Sequence, residues 1–260
     1  MKGTTKTRGT TKTEAPKRGA VADLPADGWF DLPILYEDEG QEDMGDSDIH
    51  TRTADILFYG LQFHLGGQGP ERVFTDLNLH YQPRRPKAYV SPDVMIVTPT
   101  RALPNDVSSY RVGTDGPAPS LVIEVLSERT HQQKDLTQKP RIYSRLGCRE
   151  YILVDVTGKF LPERLLLKRR RPDGSWVDEQ DADGGITSSF GFRVVIDPDG
   201  QVRVLNAQTG TPYARPEEAQ TAVEKLAKAE RAARKAEERI RALEEELARL
   251  RQKKRKRKGS

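Results

Sequence analysis

The sequence predicts a layered α/β or α+β domain over roughly residues 21–210, followed by a long separate helix. Three observations carry this. Val94–Val97, Leu121–Leu126 and Tyr151–Val156 are apolar runs broken only by Glu124 and Asp155, the signature of strands covered on both faces. Helical patterns stand before and between them, at about Ile49–Leu65 and Asp135–Leu146. Residues 216–252 then switch to an unbroken three-four spacing of Ala, Leu and Ile.

The elements follow in order. Ile56, Leu57 and Phe63 give the first helix an apolar face, and Gly66-Gly67-Gln68-Gly69-Pro70 ends it. That glycine run is no phosphate loop, because no Gly-Lys-Ser/Thr follows. Strands are predicted at Glu71–Phe74, Asn78–Gln82, Tyr89–Val97 and Ser120–Leu126, with prolines punctuating the links. In the second helix Pro140 belongs in a first turn rather than mid-helix, which leaves open whether Asp135 is part of that helix. After Tyr151–Val156, the segments Arg164–Lys168, Trp176–Glu179 and Phe192–Ile196 read as hairpin strands. Pro172-Asp173-Gly174 and Pro198-Asp199-Gly200 supply turns.

Charge is unevenly placed. Residues 1–20 hold six Lys/Arg against Glu14, and their repeated Gly-Thr-Thr-Lys-Thr predicts a disordered basic arm. Asp23 to Asp48 holds ten acidic residues and no Lys/Arg, and reads as loosely packed on the domain. Arg249 to Lys258 carries eight basic residues and no acid. General attraction to nucleic acid therefore resides in the two ends. Lys253, Lys254, Arg255, Lys256, Arg257 and Lys258 are the expected phosphate contacts, on a tail (253–260) read as disordered.

In the 216–252 helix Ile240 takes an a position, and Leu243 and Leu250 take d positions. Across a parallel pair Lys225 would face Glu230, Arg239 would face Glu244, and Glu246 would face Arg251, all opposite in sign. A homodimer through a coiled coil is the expectation. A solitary helix held by alanine propensity and i,i+4 pairs is the other reading. Cys148 is the only cysteine, which excludes an internal disulfide and a cysteine-based zinc site. With no apolar run long enough to span a bilayer and no secretory signal, a cytoplasmic protein with no membrane partner is expected.

The chemistry concentrates on one residue. Glu124 stands inside Leu121-Val122-Ile123-Glu124-Val125-Leu126, where a lone carboxylate would cost several kcal/mol. A cation, a proton or a metal must meet it. Pro92-Asp93 opens the neighbouring apolar strand, and two acids on the rims of adjacent core strands suggest a divalent metal and phosphodiester chemistry. Plainer readings stand beside this: Asp93 as a turn residue, Glu124 in an ion pair with an arginine, Lys139 as a surface lysine. Likewise Asp135 fits a helix cap, Tyr143 a core aromatic, His50 a cap or surface residue, and Asp155 a turn former. His64, His80 and His131 lack metal-ligand spacing.

The stretch Tyr89 to Val156 contains Pro92-Asp93-Val94, Leu121–Ser127, Thr130, Asp135, Lys139, Tyr143 and Gly147-Cys148-Arg149-Glu150-Tyr151-Ile152-Leu153-Val154-Asp155. This combination resembles the Uma-two family of restriction-endonuclease-like proteins, in the PD-(D/E)XK nuclease superfamily. The likeness covers most of residues 30–210, with Tyr36-Glu37, His50 and Gly185–Ile196 its weaker parts. It implies a restriction-endonuclease-like mixed central sheet flanked by helices, and a metal-dependent DNA endonuclease. Asp93 and Glu124 would hold Mg2+ or Mn2+, with Glu37 and His50 approaching from the first helical region. The superfamily's lysine belongs two residues after the glutamate, where this chain has Leu126. The family pattern instead matches Lys139, which would reach in from the following helix beside Asp135 and Tyr143. The alternative is a catalytically weak DNA-binding or assembly protein that keeps the fold.

Overall fold

A computed structural model describes residues 32, 34–35, 47–66, 69–82, 85, 87–98, 107–128 and 131–258, with backbone alone at 131–132, 246–248 and 250–258. The basic arm 1–20, Glu37 and Thr130 lie outside the described residues, as does most of the acidic segment. Of that segment, Leu32 and Leu35 pack against the core.

Helix α1 spans Asp48–Leu65, capped by Ser47, whose side chain accepts from the His50 N–H, and closed by left-handed Gly66. Strands β1 (Arg72–Thr75), β2 (Asn78–His80), β3 (Tyr89–Val90), β4 (Val94–Val97), β5 (Ser109–Arg111) and β6 (Leu121–Val125) follow. A wide π-type helical segment, His131–Gln138, runs directly into α2 (Lys139–Leu146). Then come β7 (Glu150–Val154), β8 (Leu165–Arg170), β9 (Trp176–Glu179), β10 (Ile186–Thr187), β11 (Phe192–Ile196), β12 (Val202–Asn206) and α3 (Pro216–Lys258).

Six strands form the central sheet in the order β1-β4-β6-β7-β8-β9. Within this sheet only β6 and β7 pair in parallel, and the helical segment 131–146 connects them. This is the mixed, helix-flanked sheet of the restriction-endonuclease-like class. Every residue of β4, β6 and β7 is buried, Glu124 and Glu150 included, as strands so largely apolar require. Alternation divides their side chains between two cores. Val94, Ile96, Leu121, Ile123 and Val125 pack with α1 and the β10–β12 sheet. Met95, Val97, Val122 and Leu126 pack with α2 and with the small β3-β2-β5 sheet. At Gly60 helix α1 meets β12 so closely that a Cβ would lie 2.7 Å from Val204 Cγ2.

Several expectations shift. Tyr89–Val97 is two strands in two sheets, because Pro92 has no N–H to continue a ladder. The second helix starts four residues before Asp135, as the π-type segment. Helix α3 runs on through residues 253–258, which the sequence had left disordered. Lys and Arg are good helix formers, and cations at a helix C-terminus favour the dipole. At its other end α3 is pinned. Pro216 opens it, Glu218 accepts from the Arg215 N–H at 3.0 Å, and both Glu218 oxygens hold Arg203. Buried Arg215 itself grips Asp197 and Asp199 in the β11–β12 turn.

Candidate nuclease site

Glu124 is the fourth residue of β6 and, by alternation, faces α2 between Val122 and Leu126. It is 1% exposed. Lys139 Nζ lies 2.8 Å from Glu124 Oε2, and the Tyr143 hydroxyl donates to Oε1 at 2.6 Å. Lys139 Nζ is also 2.8 Å from Asp135 Oδ1. Neither Asp135 oxygen has a well-aligned donor, so that contact is a charge pair more than a directed hydrogen bond. Asp135, Lys139 and Tyr143 do share one helical face, and Asp135 belongs to the helix interior rather than to a cap.

Asp93 stands immediately before β4. Its Oδ2 accepts the Val125 N–H at 2.6 Å, which ties it one residue past Glu124. Its backbone carbonyl accepts from Thr75 Oγ1 at 2.8 Å and from the Asp76 N–H at 3.3 Å. From α1, His50 Nε2 lies 3.4 Å from Asp93 Oδ2. His50 is therefore a buried neighbour of Asp93, and the capping role falls to Ser47. Leu126, at the superfamily's usual lysine position, is buried in the core beside α2.

The electrostatics follow from this crowding. Burial pushes the Glu124 carboxyl up to about 8; Lys139 opposes the shift, while Asp93 and Asp135 add to it. Burial, and then the neighbouring Glu124, raise the Tyr143 hydroxyl well above the usual tyrosine range. Two carboxylates, Glu124 and Asp135, thus contact one ammonium, and Asp93 adds a third negative group felt by Glu124, a surplus of hard oxygen donors that suits a divalent cation such as Mg2+. Among the described residues no three His, Cys, Asp or Glu side chains gather as a complete ligand set. Two carboxylates completed by water are the coordination Mg2+ commonly accepts.

Other singled-out residues are structural. Asp155 is buried in a turn, where its carboxylate accepts from the N–H groups of Thr157, Gly158, Phe160 and Leu161 and from the Thr157 hydroxyl. Cys148 is buried, and burial pushes its thiol up to about 12. His64 bridges Tyr213 and the Phe190 carbonyl, far along the sequence from the acids. Sequence reasoning passed over Tyr151, whose hydroxyl donates to the Asp135 carbonyl at 2.8 Å. Its signal was an aromatic with a polar tip inside an apolar run, since a buried tyrosine hydroxyl needs a partner.

Sheet and charge cluster together define a protein of the restriction-endonuclease-like class. The chain belongs to the Uma2 family, described as "Putative restriction endonuclease", whose model matches residues 36–185. The match holds the whole acidic cluster and stops before β10–β12 and α3. Three solved chains are similar. Among them is a crystal structure of a "putative nuclease belonging to DUF820" from Anabaena variabilis ATCC 29413. It is 17% identical over 58% of this chain and 77% of that one, with a TM-score of 0.42. No curated protein matches. Among the described residues no helix is long and apolar enough to cross a membrane.

Proposed function

We propose that this chain is a Mg2+-dependent endonuclease that hydrolyses DNA phosphodiester bonds, with Asp93 and Glu124 as the metal ligands. The observation that carries the reading is the contact of Lys139 with Glu124, 2.8 Å, made from the helix when the strand offers only Leu126. Asp93 and Glu124 would hold the divalent cation, which when bound would supply positive charge to ease deprotonation of water and offset charge on the phosphate oxygens. Lys139 adds a fixed ammonium beside the same carboxylate, where a preorganised charge acts in a water-poor setting. Tyr143 fixes the rotamer of Glu124, Asp135 balances Lys139, and His50 steadies Asp93.

We further infer that α3 pairs two copies of the chain. Leu226, Ile240 and Leu243, at seam positions, are 61%, 56% and 45% exposed. A helix of 43 residues spans about 65 Å, so the basic end at Lys253–Lys258 would meet phosphates well away from the acids. Two sites on one parallel dimer could act on two strands.

Leu126 supports a second reading, a DNA-binding protein that keeps the fold without cutting. Incubating plasmid and single-stranded DNA with the protein, in Mg2+ or Mn2+ and in chelator, decides between them. Metal-dependent nicking or linearisation supports the nuclease. Retarded DNA with no cleavage under any metal supports the binding protein.

A further inference from the structure

Pro140 has no backbone N–H, and that gap falls where the helix changes pitch. In the i→i+5 pattern of residues 131–138, the next bond would run from residue 140 to the carbonyl of Asp135. That carbonyl accepts instead from the Tyr151 hydroxyl at 2.8 Å, inside the core. A buried carbonyl without a donor is strongly disfavoured, so the hydroxyl stands in for the missing N–H.

Tyr151 is well placed for this. It sits on β7 opposite Val122 of β6, the strand that bears Glu124. Its ring lies 5.1 Å from that of Tyr143 and 6.2 Å from that of Trp176. Trp176 Nε1 in turn donates to the Pro140 carbonyl at 3.0 Å. Two aromatic side chains from the sheet thus hold the helical segment at the carbonyls of Asp135 and Pro140. Lys139 lies between those anchors, directly before the second.

We propose that Tyr151 is a positioning residue for Lys139: by holding the Asp135 carbonyl that Pro140 cannot serve, it fixes the wide turn from which Lys139 reaches Glu124. The consequence for rate rests on the nuclease reading above; the geometry does not. A lysine carried by a strand is aimed by the sheet ladder, whereas one carried by a helix is aimed by the helix. A shift of one residue turns a side chain by roughly 100° about an α-helix axis. The departure at Leu126 therefore demands a second fixed point.

The test uses the full chain and four forms: wild type, Tyr151→Phe, Pro140→Ala and the Pro140→Ala/Tyr151→Phe double variant. Each is assayed for plasmid cleavage, and the structure of Tyr151→Phe is solved by crystallography. Tyr151→Phe is expected to lower kcat about 10–100-fold with KM little changed, as removal of an orienting hydrogen bond does. Pro140→Ala restores an N–H for the Asp135 carbonyl, so the double variant should regain most of that loss. In crystals of Tyr151→Phe, Lys139 Nζ should no longer reach both Glu124 and Asp135. Retention of both contacts there overturns the proposal, whatever the activity. So does a double variant as slow as Tyr151→Phe. If wild type cuts nothing, the nuclease reading fails and the crystal structure alone decides the positioning. If Tyr151→Phe does not fold, a folded double variant supports the proposal and an unfolded one overturns it.

Discussion

Lys139 and Glu124 form a buried ion pair, Nζ to Oε2 at 2.8 Å, between the first residue of a helix and the middle of the central strand. Asp135 lies on the same ammonium at 2.8 Å, so the pair carries a surplus of negative charge. Desolvation in a fully enclosed strand pushes the Glu124 carboxyl up to about 8, with Lys139 opposing the shift and Asp93 and Asp135 adding to it. A site so arranged is stable as a pair and poor in positive charge.

Removing one member should therefore be worse than removing both. Lys139→Met is expected to cost about 3–5 kcal/mol, because Glu124 and Asp135 are left buried without their cation. Adding Glu124→Gln to it should return part of that loss, by relieving the charge left behind. Urea denaturation of the three proteins with fluorescence detection reads both values. A Lys139→Met protein as stable as wild type would mean that the ammonium is not held where the structure has it.

Tyr143→Phe deletes only the hydroxyl that donates to Glu124 Oε1 at 2.6 Å. A buried hydrogen bond of this kind contributes about 0.5–3 kcal/mol, and a domain of this size loses about 2–4 °C in Tm per kcal/mol. Differential scanning calorimetry should show a drop of that order with a single cooperative transition. An unchanged Tm would place the Glu124 carboxylate elsewhere.

The acids of the cluster were legible because the pattern they interrupt is so regular. One glutamate in a run of aliphatic residues requires a buried partner, and Pro92-Asp93 marks the neighbouring strand's edge. What aims the lysine was not legible. A helix that changes pitch leaves no periodic trace, so Asp135 fitted a cap, and Tyr151 passed as one more core aromatic. The two strands within Tyr89–Val97 are divided at Ser91-Pro92-Asp93, a break that a proline without an N–H marks in the sequence itself. Strand β12 alternates Val202, Arg203, Val204 with period two, yet follows a turn so closely that the second arm of its hairpin was missed.

Asp155 should make stability pH-dependent. Burial alone would raise its carboxyl, but the Thr157 hydroxyl and the Phe160, Leu161 and Thr157 N–H groups override this and hold it below the usual aspartate range. A depressed folded value contributes stability that is complete above the unfolded value of about 3.9 and fades as pH falls through the folded one. Asp155→Asn is thus expected to destabilise by about 1–3 kcal/mol at pH 7, with the gap to wild type narrowing below about pH 4. Denaturant titrations at pH 7 and pH 3.5 measure the two gaps. An equal gap at both values would show that the charge is irrelevant.

The seam of α3 should be required for pairing. Leu243→Asp places a carboxylate at a core position otherwise exposed in the single chain. Sedimentation velocity at micromolar concentration is expected to show a dimer for the full chain and a monomer for the variant, with the Tm of the sheet-bearing domain unchanged. A monomeric wild type would mean that the helix stands alone or serves a different protein.

The most direct measurement compares initial rates of plasmid cleavage by wild type, Glu124→Ala and Lys139→Ala across a Mn2+ titration, with DNA affinity measured in parallel. Lys139→Ala should fall by about 10²–10³-fold at saturating metal while DNA affinity is kept, as loss of one preorganised charge implies. Glu124→Ala should show no saturable response to metal. A Lys139→Ala protein that cuts at the wild-type rate would contradict the account, and would return the helix lysine to a purely structural role.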